Sequence, residues 1–342
     1  MPGSQPTMMD IAKAVGVSRT SVSNAFNDPS RLSKDVRQRI LNTAAELGYA
    51  GPNPLSRAVR RGRTGTLGML FDESLRFLIE DPFSRALLLG WSDEVSGEHW
   101  GLHLLPLVDD DVTVVNNALV DGVLAYRVRA GHPALETIRR RGLRLVRIGP
   151  KSASHPSDIV VSVDEVAGAE MAATHLLELG HRRLHVLIDM VEALPVSEDP
   201  SDHFPFDEQR MRWRGYARAA ARYDAELIPM PAGRNVQDSG YREALNAFAT
   251  GKVTCFLAMT DVLALGVLKA LEARGLKAGE DVSVIGFDDI PQASEHGLTT
   301  VRQPIEERGQ VAARMLLAEE PPQQGIALPC SLIIRESTGS AR

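Results

Sequence analysis

The sequence predicts a small all-α head followed by a larger α/β body, whose two lobes are doubly wound around parallel sheets. Three observations support this prediction. Apolar residues recur at one-turn spacing through the first 50 residues, and strand patterns alternate with helices of about 10–15 residues from Thr66 onwards. The chain of 342 residues is also longer than one typical domain. We expect residues 1–50 to form the head, 51–65 a connecting segment and 66–342 the body.

Two short helices joined by a tight turn are expected at the start of the head. Their apolar stripes consist of Ile11, Ala12 and Val15 in the first helix and of Val22, Ala25 and Phe26 in the second. Gly16 lies at the reversal, where a residue without a Cβ is tolerated best. We expect Thr7 to cap the first helix in a capping box with Asp10, and Ser18 to cap the second.

The second helix is predicted to expose Arg19, Thr20 and Asn24. These side chains are hydrogen-bond donors and acceptors suited to base edges in the major groove of DNA. Two interpretations remain open for the helical pair by itself. It either reads DNA or is an ordinary helical hairpin at the edge of a domain.

A third helix is expected from its cap at Ser33 to about Leu47. The miniature core of the head would then combine Val36, Ile40, Ala44 and Leu47 with Val15, Val22 and Phe26. Gly48 ends the helix, and the prolines of residues 51–54 exclude regular helix there. The basic stretch that follows, 55–63, is either an element that folds only on DNA or a solvated linker.

Charge is distributed unevenly between the head and the body. The formal charge of the whole chain is −6, yet residues 1–66 contain ten Lys and Arg against four Asp and Glu. This head therefore carries +6, and the remainder of the chain carries −12. A basic head on an acidic body suits a head that meets phosphates, although basic surface helices are common in other proteins too.

In the body, strand patterns alternate with helix patterns. The strand patterns lie at 67–71, 102–107, 123–126, 145–148, 159–163, 184–188, 226–229, 253–259 and 282–287, and the longer helix patterns at 83–97, 166–179, 207–223, 237–250 and 261–274. Ligands of such folds bind beyond the carboxyl ends of strands, so loops after Phe71, Ile188, Met259 and Phe287 should line a cleft. The sequence pattern does not assign a role to the long loop 190–205.

Several classes of function lack their sequence motifs. The chain has no apolar run of about 18 residues to span a membrane and no secretory signal, which indicates a cytoplasmic protein. No dinucleotide-binding, P-loop or nucleophile-elbow motif occurs, and the two cysteines lie far apart, as expected of reduced thiols. His181 with His185 is a weak metal candidate, and Asp288 with Asp289 is a weak catalytic pair. We expect no catalytic residues, no cofactor and no metal.

A set of motifs follows one another in a specific order along the chain. They are 10–18 (DIAKAVGVS), 21–23 (SVS), 26–27 (FN), 47–49 (LGY), 52–54 (PNP), Asp164 before a helix, 179–183 (LGHRR), 212–216 (RWRGY), 261–266 (DVLALG), 281–289 (DVSVIGFDD) and 298–304 (LTTVRQP). Each motif alone is modest. In this order they resemble the LacI/GalR family of bacterial transcriptional regulators over essentially the whole chain.

The resemblance implies a helix-turn-helix head that binds double-stranded DNA as a homodimer on a pseudo-palindromic operator. It implies that Arg19 and Thr20 read bases from the second helix. The contacts implied with phosphates are those of Thr7, Ser18, Ser21, Ser23 and Asn27. Residues 55–61 match the hinge helix that enters the minor groove, where Arg57 and Arg60 flank Val59 at the position of the usual wedging leucine.

The resemblance also implies a body like the periplasmic sugar-binding proteins. Its N-lobe would comprise 66–163 and 291–320, and its C-lobe 164–290 and 321–342. The implied effector-binding residues, together with those that precede the cleft loops, are Phe71, Phe83, Arg212, Thr260, Asp261, Asp288 and Gln303. A cleft with arginine, carboxylates and aromatic faces suits a polyhydroxylated effector such as a sugar or a nucleoside.

The function expected from the resemblance is a repressor whose operator affinity changes when the effector alters the angle between the lobes, with a coupling of about 1–3 kcal/mol. Two alternatives remain. A solute-binding protein without DNA function explains residues 66–342 but leaves the basic head unexplained. An enzyme on a doubly wound scaffold rests only on the Asp288 and Asp289 pair.

Overall fold

The structure is a computed structural model that describes residues 6–53, 58, 62–97, 100–129, 131–151, 155–190, 199–320 and 323–342. The chain divides into two compact units, Met1–Gly65 and Thr66–Arg342.

The head is built from three α-helices and one short 3-10 turn. These are α1 (Met8–Val15), α2 (Arg19–Asn27), the turn Pro29–Arg31 and α3 (Lys34–Glu46). The Asp10 carboxylate accepts hydrogen bonds from the backbone nitrogen of Thr7 at 2.9 Å and from its hydroxyl at 2.8 Å. Ser18 Oγ accepts from the nitrogen of Ser21 at 3.0 Å. Gly16 has a left-handed φ of 74°, so both the predicted caps and the predicted turn are present.

The core of the head follows the predicted apolar stripes, with one correction. Its buried residues are Ile11, Ala12, Val15, Val22, Ala25, Ile40 and Ala44. Leu47 was expected in this core but is 45% exposed, because α3 ends at Glu46 and the chain turns at Gly48 with a φ of 71°. Tyr49 packs there instead, edge-to-face with Phe26 at 5.7 Å between ring centroids.

The first nine strands of the body lie close to their predicted positions, and three strands that were not predicted follow them. They are β1 (Thr66–Phe71), β2 (Gly101–Pro106), β3 (Gly122–Tyr126), β4 (Arg144–Ile148), β5 (Ile159–Val163), β6 (Arg183–Ile188), β7 (Glu226–Pro231), β8 (Cys255–Ala258), β9 (Ser283–Asp288), β10 (Thr299–Arg302), β11 (Ile326–Leu328) and β12 (Ser331–Ile333). They form two sheets, in the orders β11-β5-β4-β3-β1-β2 and β12-β10-β9-β8-β6-β7. Every strand pair is parallel except β10 with β12. The predicted fold class is confirmed.

Helices connect successive strands, as parallel pairing requires. They are α4 (Leu75–Glu80), α5 (Pro82–Gly97), α6 (Thr113–Asn117), α7 (Pro133–Arg140), α8 (Glu165–Glu178), α9 (Asp207–Arg222), α10 (Gln237–Thr250), α11 (Asp261–Ala273), α12 (Pro291–Glu295) and α13 (Ile305–Leu317), with a 3-10 turn at Pro200–His203. Within the part of the chain that the structure describes, none of the helices combines the length and the apolar character needed to cross a membrane.

The strand order corrects the predicted lobe boundaries. The first sheet defines the first lobe and the second sheet the second lobe. Strand β10 was assigned to the first lobe but extends the second sheet, where Thr300 faces Gly286 of β9 in parallel register. Strand β11 was assigned to the second lobe but pairs with β5 in the first. The chain therefore changes lobe between β10 and α13, and again between β11 and β12, rather than near residues 290 and 320.

The C-terminal residues are held on the second lobe by the Leu-Gly-His-Arg-Arg motif. The nitrogen of Ala341 donates to the carbonyl of Leu179 at 2.8 Å. His181 is buried, with its ring nitrogens 3.0 Å from the hydroxyls of Thr254 and Ser283. Burial lowers the pKa of His181, which favours the neutral form of the ring between these two hydroxyls. Among the described residues, no group of three His, Cys, Asp or Glu side chains is arranged to hold a metal ion.

Candidate functional site

The side chains predicted to contact DNA differ in exposure. Thr7, Ser18, Arg19 and Thr20 are exposed, whereas Ser21, Ser23, Asn24 and Asn27 are half-buried. One reason for the difference is local, because the Asn27 side-chain amide donates at 2.9 Å to the carbonyl of Ser23, one turn earlier. The exposed polar side chains thus concentrate at the first turn of α2. Arg57, Val59 and Arg60 lie outside the described residues.

A cleft of about 540 Å³, a volume that includes its opening to solvent, lies between the two lobes of the body. Its lining from the first lobe is Asp81, Phe83, Tyr126, Arg127, Ile148, Gly149 and Arg308, and from the second lobe Glu165, Asp189, Phe206, Glu208, Gln209, Arg212, Asn235, Thr260 and Asp288. Many of these residues end strands or follow them directly, which is where ligands of parallel α/β sheets bind.

Arg212 on α9 occupies the second-lobe wall of the cleft. Its Nε donates to Glu165 Oε2 at 2.7 Å, and its Nη1 donates to the carbonyl of Met259. Its guanidinium also lies 3.8 Å from the ring centroid of Phe287 and 4.0 Å from Asp288 Oδ1. Burial alone lowers the pKa of Arg212, but Glu165 and Asp288 together raise that pKa above its ordinary value. The guanidinium is therefore a fixed positive charge.

Asp288 ends β9 beside this guanidinium. Its backbone φ is 129°, a conformation that residues other than glycine rarely adopt. Gln303 Nε2 donates to Asp288 Oδ1 at 2.7 Å. Burial raises the pKa of Asp288 well above its ordinary value, although Arg212 lowers it. The carboxyl group therefore keeps its proton to a higher pH than an exposed aspartate does.

A chain of hydrogen bonds crosses from one lobe to the other at the edge of the cleft. Thr260 Oγ1 donates to Asn235 Oδ1 at 2.6 Å, and Asn235 Nδ2 donates to Asp81 Oδ1 at 3.4 Å. The other oxygen of Asp81 accepts from the nitrogen and the hydroxyl of Ser84, at 2.8 and 2.6 Å. Thr260 thus joins the lobes in addition to capping α11, where it accepts from the nitrogen of Leu263 at 3.2 Å.

An aromatic wall lines the first-lobe side of the cleft. Phe83 and Tyr126 are stacked, with ring centroids 5.5 Å apart and planes inclined by 12°. The guanidinium of Arg308 lies 5.7 Å from the Phe83 centroid. Its Nη1 donates to Gln303 Oε1, while its buried Nε has no hydrogen-bond partner among the described residues. The wall thus combines an apolar face with a buried donor.

Four of the seven predicted effector-binding residues line the cleft, namely Phe83, Arg212, Thr260 and Asp288. Gln303 lies behind the lining, against Asp288. The expected position of Phe71 is corrected, because it is 1% exposed and packs in the apolar core. Asp261 is also turned away from the cleft, since its carboxylate is bonded to Ile290 and Thr300.

Sequence reasoning missed several charged residues in the lining. Asp189 directly follows β6, and the loop after this strand was expected to line the cleft. Its position at the strand end could therefore have identified Asp189 as a lining residue. Arg127 follows β3 in the same way, but that loop was not singled out. Asp81 stands two residues before Phe83, in the Asp-Pro-Phe sequence. Glu208 on α9 gave no comparable signal.

Comparison with known proteins adds to this geometry. Residues 7–53 match the family of bacterial regulatory proteins named lacI, and residues 173–338 match the periplasmic binding protein-like domain. The HTH-type transcriptional regulator Rv3575c of Mycobacterium tuberculosis is 34% identical over 344 residues, which cover 95% of this chain and 93% of that protein.

Two solved structures are similar over nearly the whole chain. A LacI-family transcriptional regulator from Corynebacterium glutamicum has a TM-score of 0.73 and 29% identity, with 100% of both chains covered. A complex of the regulator CelR with cellobiose has a TM-score of 0.67 and 25% identity, covering 97% of this chain and 99% of CelR. The chain belongs to the lacI family of bacterial regulatory proteins, and it is a ligand-responsive transcriptional regulator that binds DNA.

Proposed function

We propose that this regulator is a repressor whose affinity for its operator is changed by a small, neutral, polyhydroxylated molecule bound in the cleft, such as a sugar or a nucleoside. The observation that carries the proposal is the pairing of charge in the lining. Arg212 is bonded to Glu165 at 2.7 Å, and Arg127 is bonded to Asp189 at 3.2 Å. A charged ligand that paired with either of these arginines would have to break one of the two pairs, whereas a neutral ligand leaves both in place.

Hydroxyl groups suit the remaining polar groups of the lining because a hydroxyl both donates and accepts hydrogen bonds. Within the part of the chain that the structure describes, the buried Nε of Arg308 lacks an acceptor, and a buried donor without a partner is costly. Glu208 supplies an acceptor on the opposite lobe, and burial raises its pKa. The stacked rings of Phe83 and Tyr126 offer an apolar face to the C–H side of a sugar or to a base. The CelR structure holds cellobiose, which supports the sugar class for a relative.

On the DNA side, we infer a homodimer on a pseudo-palindromic operator in the cytoplasm. Arg19 and Thr20, exposed at the first turn of α2, would read base edges in the major groove. The phosphate contacts in this proposal are those of Thr7, Ser18, Ser21, Ser23 and Asn27, with Asn24 beside them on α2. The hinge residues Arg57, Val59 and Arg60 would enter the minor groove.

The link between the two sites is a change in the angle between the lobes. Hydrogen bonds and ion pairs already cross the cleft, at Asp81 with Asn235 and at Arg127 with Asp189. A ligand that satisfies more groups in one lobe arrangement than in the other shifts the population of the two. We expect the coupling to change operator affinity about 5- to 150-fold.

The test is operator binding measured with and without ligand. DNA duplexes tiled from the region upstream of the gene are titrated by fluorescence anisotropy, in parallel with thermal-shift screening of neutral sugars, nucleosides and organic acids. The compound that raises the melting temperature should also change the operator Kd by about 5- to 150-fold. A compound that binds the body without changing operator affinity contradicts the coupling, and binding of organic acids alone contradicts the neutral ligand class.

A further inference from the structure

A second, larger chamber adjoins the effector cleft. Its volume is about 1140 Å³, including its opening. Arg127, Asp189, Phe206 and Asn235 line both chambers. The residues found only in the outer lining include Glu73, Phe77, Arg129, His203 and Arg234. The inner cleft and the outer chamber are thus neighbours that share one set of boundary residues.

Arg127 spans this boundary from the first lobe to the second. Its Nη1 donates to Asp189 Oδ2 at 3.2 Å across the cleft, and its Nη2 lies 3.5 Å from Glu73 Oε1 of its own lobe. The guanidinium also stands 4.5 Å from the ring centroid of Phe206 and 5.6 Å from that of Phe77. Its side chain is only 13% exposed, so a positive charge fills the space between the chambers.

Two observations indicate that this position is held firmly. The backbone of Arg127 is left-handed, with φ at 48°, and non-glycine residues in such conformations persist where surrounding contacts over-determine them. Its partner Asp189 is fixed in turn, because Gln209 Nε2 donates to Asp189 Oδ1 at 2.7 Å and to its carbonyl at 3.0 Å. Moving the guanidinium aside would leave the carboxylate of Asp189 buried without its cation.

Each chamber has aromatic rings in its lining, and one ring, that of Phe206, is common to both. The inner cleft has the stacked pair of Phe83 and Tyr126. The outer chamber has Phe77 and Phe206, and the Arg127 guanidinium contacts both of these rings. A two-ring ligand that reached from the first pair of rings to the second would have to pass through the space that Arg127 fills.

We propose that Arg127 is a specificity-determining partition, which limits the effector to a single ring in the inner cleft and separates it from an outer subsite able to take a second ring. This inference rests on the proposed class of effector. It assigns to this chain a different ligand size from that of the relative that holds the disaccharide cellobiose. Removing the Arg127 side chain should join the two chambers and admit two-ring ligands.

The test compares single-ring sugars with two-ring sugars built from the same unit: glucose with cellobiose and maltose, and galactose with lactose. Binding to the full-length protein is measured by thermal shift and by calorimetry. Arg127→Ala is compared with Arg183→Ala, a control outside both linings, whose guanidinium pairs with Glu226 and is 60% exposed. The double variant Arg127→Met/Asp189→Asn removes both charges, so that a folding defect from an unpaired Asp189 does not obscure the result.

Wild-type protein and Arg183→Ala should prefer a single-ring sugar over its two-ring counterpart by about tenfold or more, and both Arg127 variants should lose that preference by a similar factor. Retention of the wild-type preference in both Arg127 variants would overturn the partition, as would equal binding of both sizes by wild-type protein. If no sugar binds any variant while operator binding is intact, sugars are excluded as the effector and the partition between sugar rings fails with them.

Discussion

Thr300 Oγ1 donates a 2.5 Å hydrogen bond to Oδ1 of Asp261, and this bond holds a buried carboxyl group behind the effector cleft. The other oxygen of Asp261 accepts from the backbone nitrogen of Ile290 at 2.9 Å. Asp261 begins α11, Ile290 follows β9 and Thr300 lies in β10. The Asp261 side chain therefore joins α11, β10 and the segment after β9, at the edge of the second lobe that carries Asp288.

The pH dependence of stability should report on this carboxyl group. Burial raises the pKa of Asp261 from 3.8 to about 7, although Thr300 and Ile290 lower it. The folded state thus binds this proton more tightly than the unfolded state. The stabilisation that the proton provides is complete below about pH 4 and is lost as the pH rises through about 7.

We therefore expect Asp261→Asn to gain stability relative to wild-type protein as the pH rises from about 4 to 8, by an amount on the order of 3 kcal/mol. Urea unfolding of both proteins at several pH values measures the difference. Asp238→Asn is the control, because the Asp238 side chain is 76% exposed and its pair with Arg242 lies at the surface. A pH-independent difference for Asp261→Asn would show that the native carboxyl group titrates as it does in the unfolded chain.

Gly286 lets β9 approach the same carboxylate. A Cβ at this position would lie 2.1 Å from Asp261 Oδ1 and 3.1 Å from Leu298 Cδ2. Gly286→Ala should lower the free energy of unfolding by about 1–3 kcal/mol, because the carboxylate of Asp261 and the hydroxyl of Thr300 that is bonded to it would have to move. Gly251→Ala serves as the control, since a Cβ there meets no atom within 4 Å, and its effect should stay within about 0.5 kcal/mol.

A double-mutant cycle separates this clash from a general loss of strand packing. In an Asp261→Ala background the carboxylate is absent, and Gly286→Ala should then cost clearly less than in wild-type protein. Equal costs in the two backgrounds would assign the effect of the Gly286 substitution to Leu298 or to the strand itself.

The elements that the sequence predicts well are those whose signals are local. The caps at Thr7 and Ser18 depend on residues three positions apart, and the strand patterns depend on short apolar runs bounded by turns. Leu47 is the exception in the head, because its exposure depends on where α3 ends relative to Gly48. A local pattern indicates which residues are apolar. It does not indicate which of these residues become exposed because the helix ends beside them.

The lobe boundaries depend on contacts between residues that are distant in sequence. The same holds for the charged lining residues that sequence reasoning missed. Strand β11 joins the first sheet through β5, more than 150 residues earlier, and nothing in its three residues indicates that partner. Arg127 and Asp189 meet only because two separate sheets face each other. The resemblance implied Arg212, Asp288 and Phe83, whereas the motifs that carry the resemblance contain neither Arg127 nor Asp189.

Arg212 offers a test of the charge network in the cleft. Arg212→Met would leave the buried carboxyl groups of Glu165 and Asp288 without their cation, so we expect a loss of about 3–5 kcal/mol in stability together with loss of effector binding. Arg214→Met is a matched control on the same helix, where Arg214 is exposed. Urea unfolding and thermal shift with ligand are the measurements. A stability loss near that of Arg214→Met would contradict the network.

Arg19→Ala tests whether the first turn of α2 reads sequence or only binds phosphates. Arg19 is exposed beside the capped N-terminus of α2, and a bidentate contact with guanine is the common specific role of arginine at such a place. We expect a loss of about 1–3 kcal/mol in operator binding that is confined to one base position of each half-site. Fluorescence anisotropy on a set of single-base operator variants measures it.

Arg31→Ala is the matched control in the same head, because the Arg31 side chain is 71% exposed and pairs with Asp28 outside α2. Its effect on operator binding should be small and equal across all the duplexes. If Arg19→Ala instead weakens every duplex equally and reduces the salt dependence of binding by about one ion, Arg19 contacts a phosphate. Base recognition would then fall to Thr20 and Asn24 on the same helix.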